Sequence, residues 1–130
     1  MQLFLYNLGV FSYGFIIKLA ALFIPKAKKW IKGRKEWEAS LQKATEQSSN
    51  WIWFHCASLG EFEMGRNLME ALKEKYPSKS ILITFFSPSG YEIRKNYKGA
   101  DYVCYLPLDT EKNATKFVEI LSPELVVFVK

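Results

Sequence analysis

The sequence predicts an α/β domain built on a parallel sheet and preceded by an apolar N-terminal helix. Three observations predict it. From residue 51 onward, short runs of apolar, β-branched and aromatic residues alternate with stretches of helical periodicity. The connections between them are short, which favours right-handed crossovers between parallel strands with helices on the sheet's faces. Leu3 to Ile24 is almost wholly apolar, with Lys18 as its only charge.

That first run sets the location. As a helix its 22 residues span about 33 Å, close to the roughly 30 Å hydrocarbon layer of a bilayer. Lys18 lies near one end, where a long side chain can snorkel. Pro25 closes the run, and Lys26, Lys28, Lys29, Lys32, Arg34 and Lys35 follow with no acid among them. Positive charge beside a hydrophobic helix marks the cytoplasmic side. No small-residue cleavage motif is evident, so the reading is an uncleaved anchor, spanning or deeply inserted. The alternative is an interfacial helix held by its apolar face and by anionic lipids. Trp30 and Trp37 flank the basic segment, a position that suits rings at the headgroup level. The net charge is +5, and these six positives leave −1 for everything else. The basic character is therefore a local, lipid-facing patch, which argues against nucleic acid as a partner.

The expected organisation is an anchor helix over 1–25, a basic juxtamembrane segment and linker over 26–50, and a Rossmann-like domain over 51–130. Residues 35–50 are polar, helical at first, and end in the loop Gln47-Ser48-Ser49-Asn50. Trp51 to Ala57 reads as a strand buried on both faces. Gly60 to Tyr76 reads as a helix whose apolar stripe is Met64, Leu68, Leu72 and Tyr76, with Ala71 beside it. Pro77 and Ser78 end it, and Ser80 to Phe86 is a second strand. Ser87-Pro88-Ser89-Gly90 is a turn before a short helix over Tyr91 to Tyr97. Asp101 to Leu106 is a third strand. Asp109 or Thr110 caps a helix over Glu111 to Leu121. Glu124 to Val129 is a fourth strand, and the expected strand order is 3-2-1-4. The chain stops at Lys130 with no helix to cover that strand, so the expectation is a truncated protein or one half of a two-domain enzyme.

Several chemistries lack their motifs. The first strand-to-helix turn, Ser58-Leu59-Gly60-Glu61, has one glycine where a dinucleotide site needs G-x-G-x-x-G, and no acid ends the second strand to hold a ribose. There is no P-loop and no G-x-S-x-G elbow. Cys56 and Cys104 have no C-x-x-C spacing and the chain has one histidine, so no metal site and no cofactor are expected, and both thiols read as buried and free. His55 reads as a hydrogen-bonded core residue before a catalyst.

The stretch that carries chemistry is Trp51 to Glu63. Its turn lies at the carboxyl end of a strand, where open α/β sheets bind ligands. Ser58 and Glu61 fit the S-x-x-E capping box. Glu61 has two readings, a helix cap or a carboxylate held at the mouth of a site to take a proton. A helix N-terminus favours the ionised carboxylate, while burial beside Trp53, His55 or Phe62 would make it a stronger base. Ser87, Ser89 and Gly90 form a second small-residue loop at the same edge, an ordinary turn on its own.

His55-Cys56-Ala57-Ser58-Leu59-Gly60-Glu61-Phe62 resembles the H-x-A-S-[VL]-G-E segment of Kdo transferases, which add 3-deoxy-D-manno-octulosonic acid (Kdo) to lipid A precursors. The resemblance continues in Thr84-Phe85-Phe86-Ser87-Pro88-Ser89-Gly90-Tyr91-Glu92, Ala100-Asp101, Tyr105-Leu106-Pro107-Leu108-Asp109, and the ending from Ser122-Pro123-Glu124-Leu125 to Lys130. It covers essentially the whole chain, with several motifs in order. It implies a GT-B glycosyltransferase of two Rossmann-like domains, of which this chain resembles the N-terminal, acceptor-binding half. The half that holds the CMP-Kdo donor is absent. It also implies a lipid A precursor (lipid IVA) as acceptor, the cytoplasmic face of the inner membrane as location, and no metal in the displacement. Glu61 would be the general base, with Ser58, Gly60, Ser87, Ser89 and Gly90 around the acceptor. Two rivals remain: a membrane-tethered, non-catalytic module with a flavodoxin-like sheet, and a GT-B glycosyltransferase with another lipid acceptor.

Overall fold

A computed structural model describes residues 1–130. Its sheet has four parallel strands, β1 (Trp51–Cys56), β2 (Ser80–Phe85), β3 (Tyr102–Tyr105) and β4 (Leu125–Val129), in the order β3-β2-β1-β4. This is the expected order. Ile52 stands beside Ile81 and Leu125, and Thr84 beside His55 and Cys104. The two central strands are buried almost along their length because helices cover both faces, so neither shows a buried–exposed alternation.

Six helices accompany the sheet: α1 (Gln2–Ala20), α2 (Pro25–Lys32), α3 (Trp37–Glu46), α4 (Leu59–Lys75), α5 (Pro88–Arg94) and α6 (Glu111–Leu121). One face packs Ile52, Phe54 and Cys56 of β1 with Ile81, Ile83 and Phe85 of β2 against Phe62 and Met69 of α4. The other packs Trp51, Trp53 and Leu82 against Leu41 of α3 and Phe117 and Leu121 of α6. The helix ends follow local chemistry. Ser87 caps α5 by accepting from the Ser89 N–H, with Pro88 in the first turn, so α5 starts three residues earlier than the periodicity predicts. Thr110, and not Asp109, caps α6. Ser122 ends α6 in the left-handed conformation (φ 45°).

Three expectations are corrected. The stripe Met64, Leu68, Tyr76 of α4 is largely solvent-facing, and the buried line is Phe62, Gly65 and Met69 with Leu72 beside it. A strict spacing of four drifts about 40° per step around a helix of 3.6 residues per turn, so the core is met by mixed steps of three and four. Residues 37–46 are no linker, since Leu41 is 1% exposed within the second core and Lys116 of α6 reaches Glu38 at 2.8 Å. The packed body therefore begins before residue 51. Trp30 and Trp37 are not headgroup rings. Trp30 sits edge-on to Tyr13 and Phe86, and Trp37 lies against Phe117.

The first helix ends at Ala20, short of Ile24, and a turn leads to Pro25 at the start of α2. It is long and apolar enough to cross a membrane, and only Gly14 along it is buried. One line of it rests on the domain: the Tyr6 hydroxyl donates to the Asp109 carboxylate, and Tyr13 stacks on Phe86. Leu3, Phe4, Leu8, Phe11, Phe15 and Ile16 are exposed, Phe11 and Phe15 bordering a hollow shared with Trp30, Ile31 and Leu108. At the opposite edge of the sheet, Leu125, Val126 and Phe128 of β4 are exposed as well.

Candidate functional site

The carboxyl ends of β1 and β2 run into two helix starts that touch. The Ser87 N–H donates to the Ala57 carbonyl at 2.9 Å, which ties the turn after β2 to the turn after β1. Gly90 is what allows the approach. A Cβ there would overlap the Phe85 ring and lie 3.1 Å from the Leu59 backbone nitrogen, so α5 seats its first turn directly on the start of α4. Ser58, Glu61, Ser87, Ser89 and Gly90 are thereby brought to one edge. Gly60 is exposed, and a side chain there would meet nothing closer than the Ser58 oxygen at 3.9 Å.

The capping box is not formed as the pattern predicts. Ser58 is the N-cap of α4 in extended conformation, but its hydroxyl makes no cap bond. Glu61 accepts through Oε2 from the N–H of Ala57, one residue earlier than the box requires. Its other oxygen, Oε1, has no hydrogen-bond partner, and the side chain is half-buried. One oxygen thus fixes the carboxylate at the edge while the second is free. The hydroxyls of Ser87 and Ser89 are 2.7 Å apart and engaged with each other and with the α5 cap.

Behind this edge, His55 Nδ1 lies 2.8 Å from Thr84 Oγ1, which also accepts from the Trp53 indole N–H at 2.8 Å. Burial pushes the imidazole below its ordinary value, and the carboxylates of Glu61 and Asp109 oppose that push. His55 is a neutral, hydrogen-bonded residue packed edge-on to Phe128. Cys56 and Cys104 are free thiols, each pushed up to about 12 by burial. No group of three His, Cys, Asp or Glu side chains is placed to hold a metal ion.

The basic run divides. Lys26, Lys28, Lys29, Lys32 and Lys35 are exposed. Arg34 turns inward. Its guanidinium donates to the Phe86 carbonyl at 2.9 Å and the Trp30 carbonyl at 3.1 Å, and lies 3.7 Å over the Trp30 ring and 4.8 Å from the Tyr105 ring. It fastens α2 to the end of β2 beside the site. Asp109 lies in a segment the resemblance covers, but its motif assigned it no role beyond a possible cap; here its carboxylate receives Tyr6 and so holds α1 at this edge.

A family model described as 3-deoxy-D-manno-octulosonic-acid transferase (kdotransferase) matches residues 32–130. The chain belongs to this family. It is 31% identical over 80 residues to the 3-deoxy-D-manno-octulosonic acid transferase of Haemophilus influenzae, covering 61% of this chain and 19% of that one. The enzyme of the same name from Aquifex aeolicus is 35% identical over 81 residues, 61% of this chain and 22% of its own. A bifunctional glycosyltransferase/methyltransferase of Fusobacterium nucleatum is 32% identical over 125 residues, 91% of this chain and 19% of that one. The chain spans about a fifth of the length of these curated relatives. No solved structure shows a significant match. The family match includes β1, the α4 start with Glu61, and the Ser87–Gly90 turn, so every residue of the candidate edge except Tyr6 lies inside it.

Proposed function

We propose that the full-length protein transfers Kdo from CMP-Kdo to a lipid A precursor such as lipid IVA, with inversion, and that these residues form the acceptor-binding half of a GT-B enzyme. The observation that carries the reading is Glu61: a carboxylate at the carboxyl edge of a parallel sheet, one oxygen held by the Ala57 N–H and the other unpartnered, in a chain of the Kdo transferase family. In the reaction a sugar hydroxyl of the acceptor passes its proton to Glu61 Oε1. Its oxygen bonds to the anomeric carbon of Kdo, and the bond from that carbon to the phosphate of CMP breaks, with CMP taking the electron pair. The Ala57 N–H holds the base in place and does not exchange its proton.

The anchor gives this chemistry its place. The first helix meets the domain at the edge that carries Glu61, through Tyr6 on Asp109 and Tyr13 on Phe86. An acylated acceptor stays in the bilayer, and we place α1 in the cytoplasmic leaflet of the inner membrane so that the edge faces the headgroups. The exposed lysines of the basic run meet anionic lipid there. A second reading is favoured by one contact. The bond from Ala57 to Glu61 is also what a purely structural cap would make, and then the base lies elsewhere. The test of the activity is product formation: full-length protein, CMP-Kdo and a tetraacylated glucosamine disaccharide bisphosphate give a Kdo-bearing lipid that requires all three. No such product, with protein shown to be folded, contradicts the proposal.

A further inference from the structure

A groove opens where α1 and α2 part, beside the candidate edge. Tyr13, Ile17, Ile24, Ala27, Trp30 and Phe86 wall it, and it encloses about 320 Å³, at the small end of the roughly 300–1,000 Å³ typical of ligand pockets. Besides the Tyr13 hydroxyl, its polar lining is Lys26 and Ser87. Lys26 also borders a second hollow of about 350 Å³, with Lys29, Ser89 and Glu92. Neither lysine has a carboxylate within ion-pair distance, while Glu92 is already paired with Lys95 at 3.1 Å. The indole N–H of Trp30, in the groove wall, finds no acceptor within the protein.

We propose that this groove takes one acyl chain of the phosphorylated lipid acceptor, with Lys26 and Lys29 on its phosphate at the groove's polar end. The proposal rests on the reading of the sheet edge as an acceptor site. Shape and charge each point to that occupant. An apolar trough with one unpaired cation in its lining, Lys26, and a second, Lys29, in the hollow that Lys26 shares suits a molecule with a chain at one end and an anion at the other, and suits neither a free sugar nor a free phosphate. The groove is flanked by the exposed apolar surface of α1, so a chain leaving a bilayer enters it without crossing water. Its far wall, Phe86-Ser87, continues into the turn bonded to Ala57, the residue that holds Glu61. A lipid threaded here presents its headgroup to the carboxylate. Lipid held by a wall on one side and charge on the other is positioned along two directions, which a surface held by lysines alone would not achieve.

Binding tests this without any transfer step. The probe is lysophosphatidic acid with a dibrominated chain, titrated against the whole protein in detergent, with tryptophan quenching as the readout. The expected result is saturable quenching that Trp30→Phe largely removes. Ala27→Phe, which fills the groove, should weaken it at least tenfold, and the exposed pair Lys26→Gln with Lys29→Gln several-fold. Brominated lysophosphatidylcholine, whose phosphate is masked by choline, should bind more weakly. Glycerol 3-phosphate should not compete at equal concentration. Quenching that does not saturate, or that is the same in the double lysine variant, overturns the proposal even if Ala27→Phe fails to fold. Competition by glycerol 3-phosphate as strong as by the lipid overturns it too, since the chain would then contribute nothing. The same titration on Glu61→Gln should be unchanged, so loss of the base reading and loss of the groove are told apart.

Discussion

Replacing Arg34 by methionine keeps the length and apolar stem of the side chain but removes its fork. Two hydrogen bonds from a charged group to carbonyls go, at about 1.5–3 kcal/mol each. The stack on Trp30 at 3.7 Å goes as well, at about 1–2 kcal/mol for a partly desolvated pair. Against this, burial has already lowered the guanidinium from 12.5 to about 10, a penalty of about 3 kcal/mol that methionine does not carry. The balance is a loss of about 3 kcal/mol, since the Phe86 and Trp30 carbonyls are left without their donor. In a domain of this size that lowers the melting temperature by about 10 °C. Urea unfolding followed by tryptophan fluorescence measures it, with Lys32→Met from the same basic run as the control, expected within about 0.5 kcal/mol of the parent. Equal and small effects at Arg34 and Lys32 would refute the argument and return Arg34 to the lipid-facing patch.

Gly90→Ala should cost about 1–3 kcal/mol by overpacking against Phe85 and the start of α4, read as a lower melting temperature; a neutral result would mean the two helix starts are not in contact. Stability should depend on pH through His55. Burial holds its folded-state value below the unfolded one near 6.5, so the unfolded chain takes up the proton first. The contribution is present above about pH 6.5 and is lost as the pH falls below that toward the folded value, and His55→Gln should flatten that part of the profile. Tyr105 acts in the other sense: burial raises it to about 12, so stability declines as the pH climbs past about 10, where the unfolded phenol ionises. Deleting residues 2–20 should release the protein from membranes at moderate salt, whereas high salt alone should leave the intact chain bound; release of the intact chain by salt would assign binding to the lysines instead.

The sheet was legible because buried parallel strands write themselves as apolar runs, and because crossover handedness leaves few orders for four of them. Trp51–Cys56 and Ser80–Phe85 fall within the predicted spans, and α6 matches at both ends. What was not legible turned on geometry that spacing does not encode. In α4, a row of apolar residues four apart looks like a stripe, but the sheet meets the helix along Phe62, Gly65 and Met69, and the glycine in that line carries no hydrophobic signal. Arg34 sat in a run of like charges, and only its neighbours in space, Trp30, Phe86 and Tyr105, distinguish it from Lys32. The candidate edge was picked out through Ser58-x-x-Glu61, although the box itself does not form. The pattern marked the right helix start, and the partner of Glu61 moved one residue to Ala57.

Glu61→Gln in the full-length protein tests the central claim most directly, with melting temperature and rate of Kdo transfer measured side by side. The amide keeps the shape and still accepts the Ala57 N–H, so a cap role changes stability by at most about 1 kcal/mol. Loss of a general base slows transfer by about 10²–10⁴-fold. The account predicts a melting temperature within a few degrees of the parent with transfer down at least a hundredfold. Near-normal transfer, or activity lost only in proportion to unfolding, would contradict it and make Glu61 a structural residue.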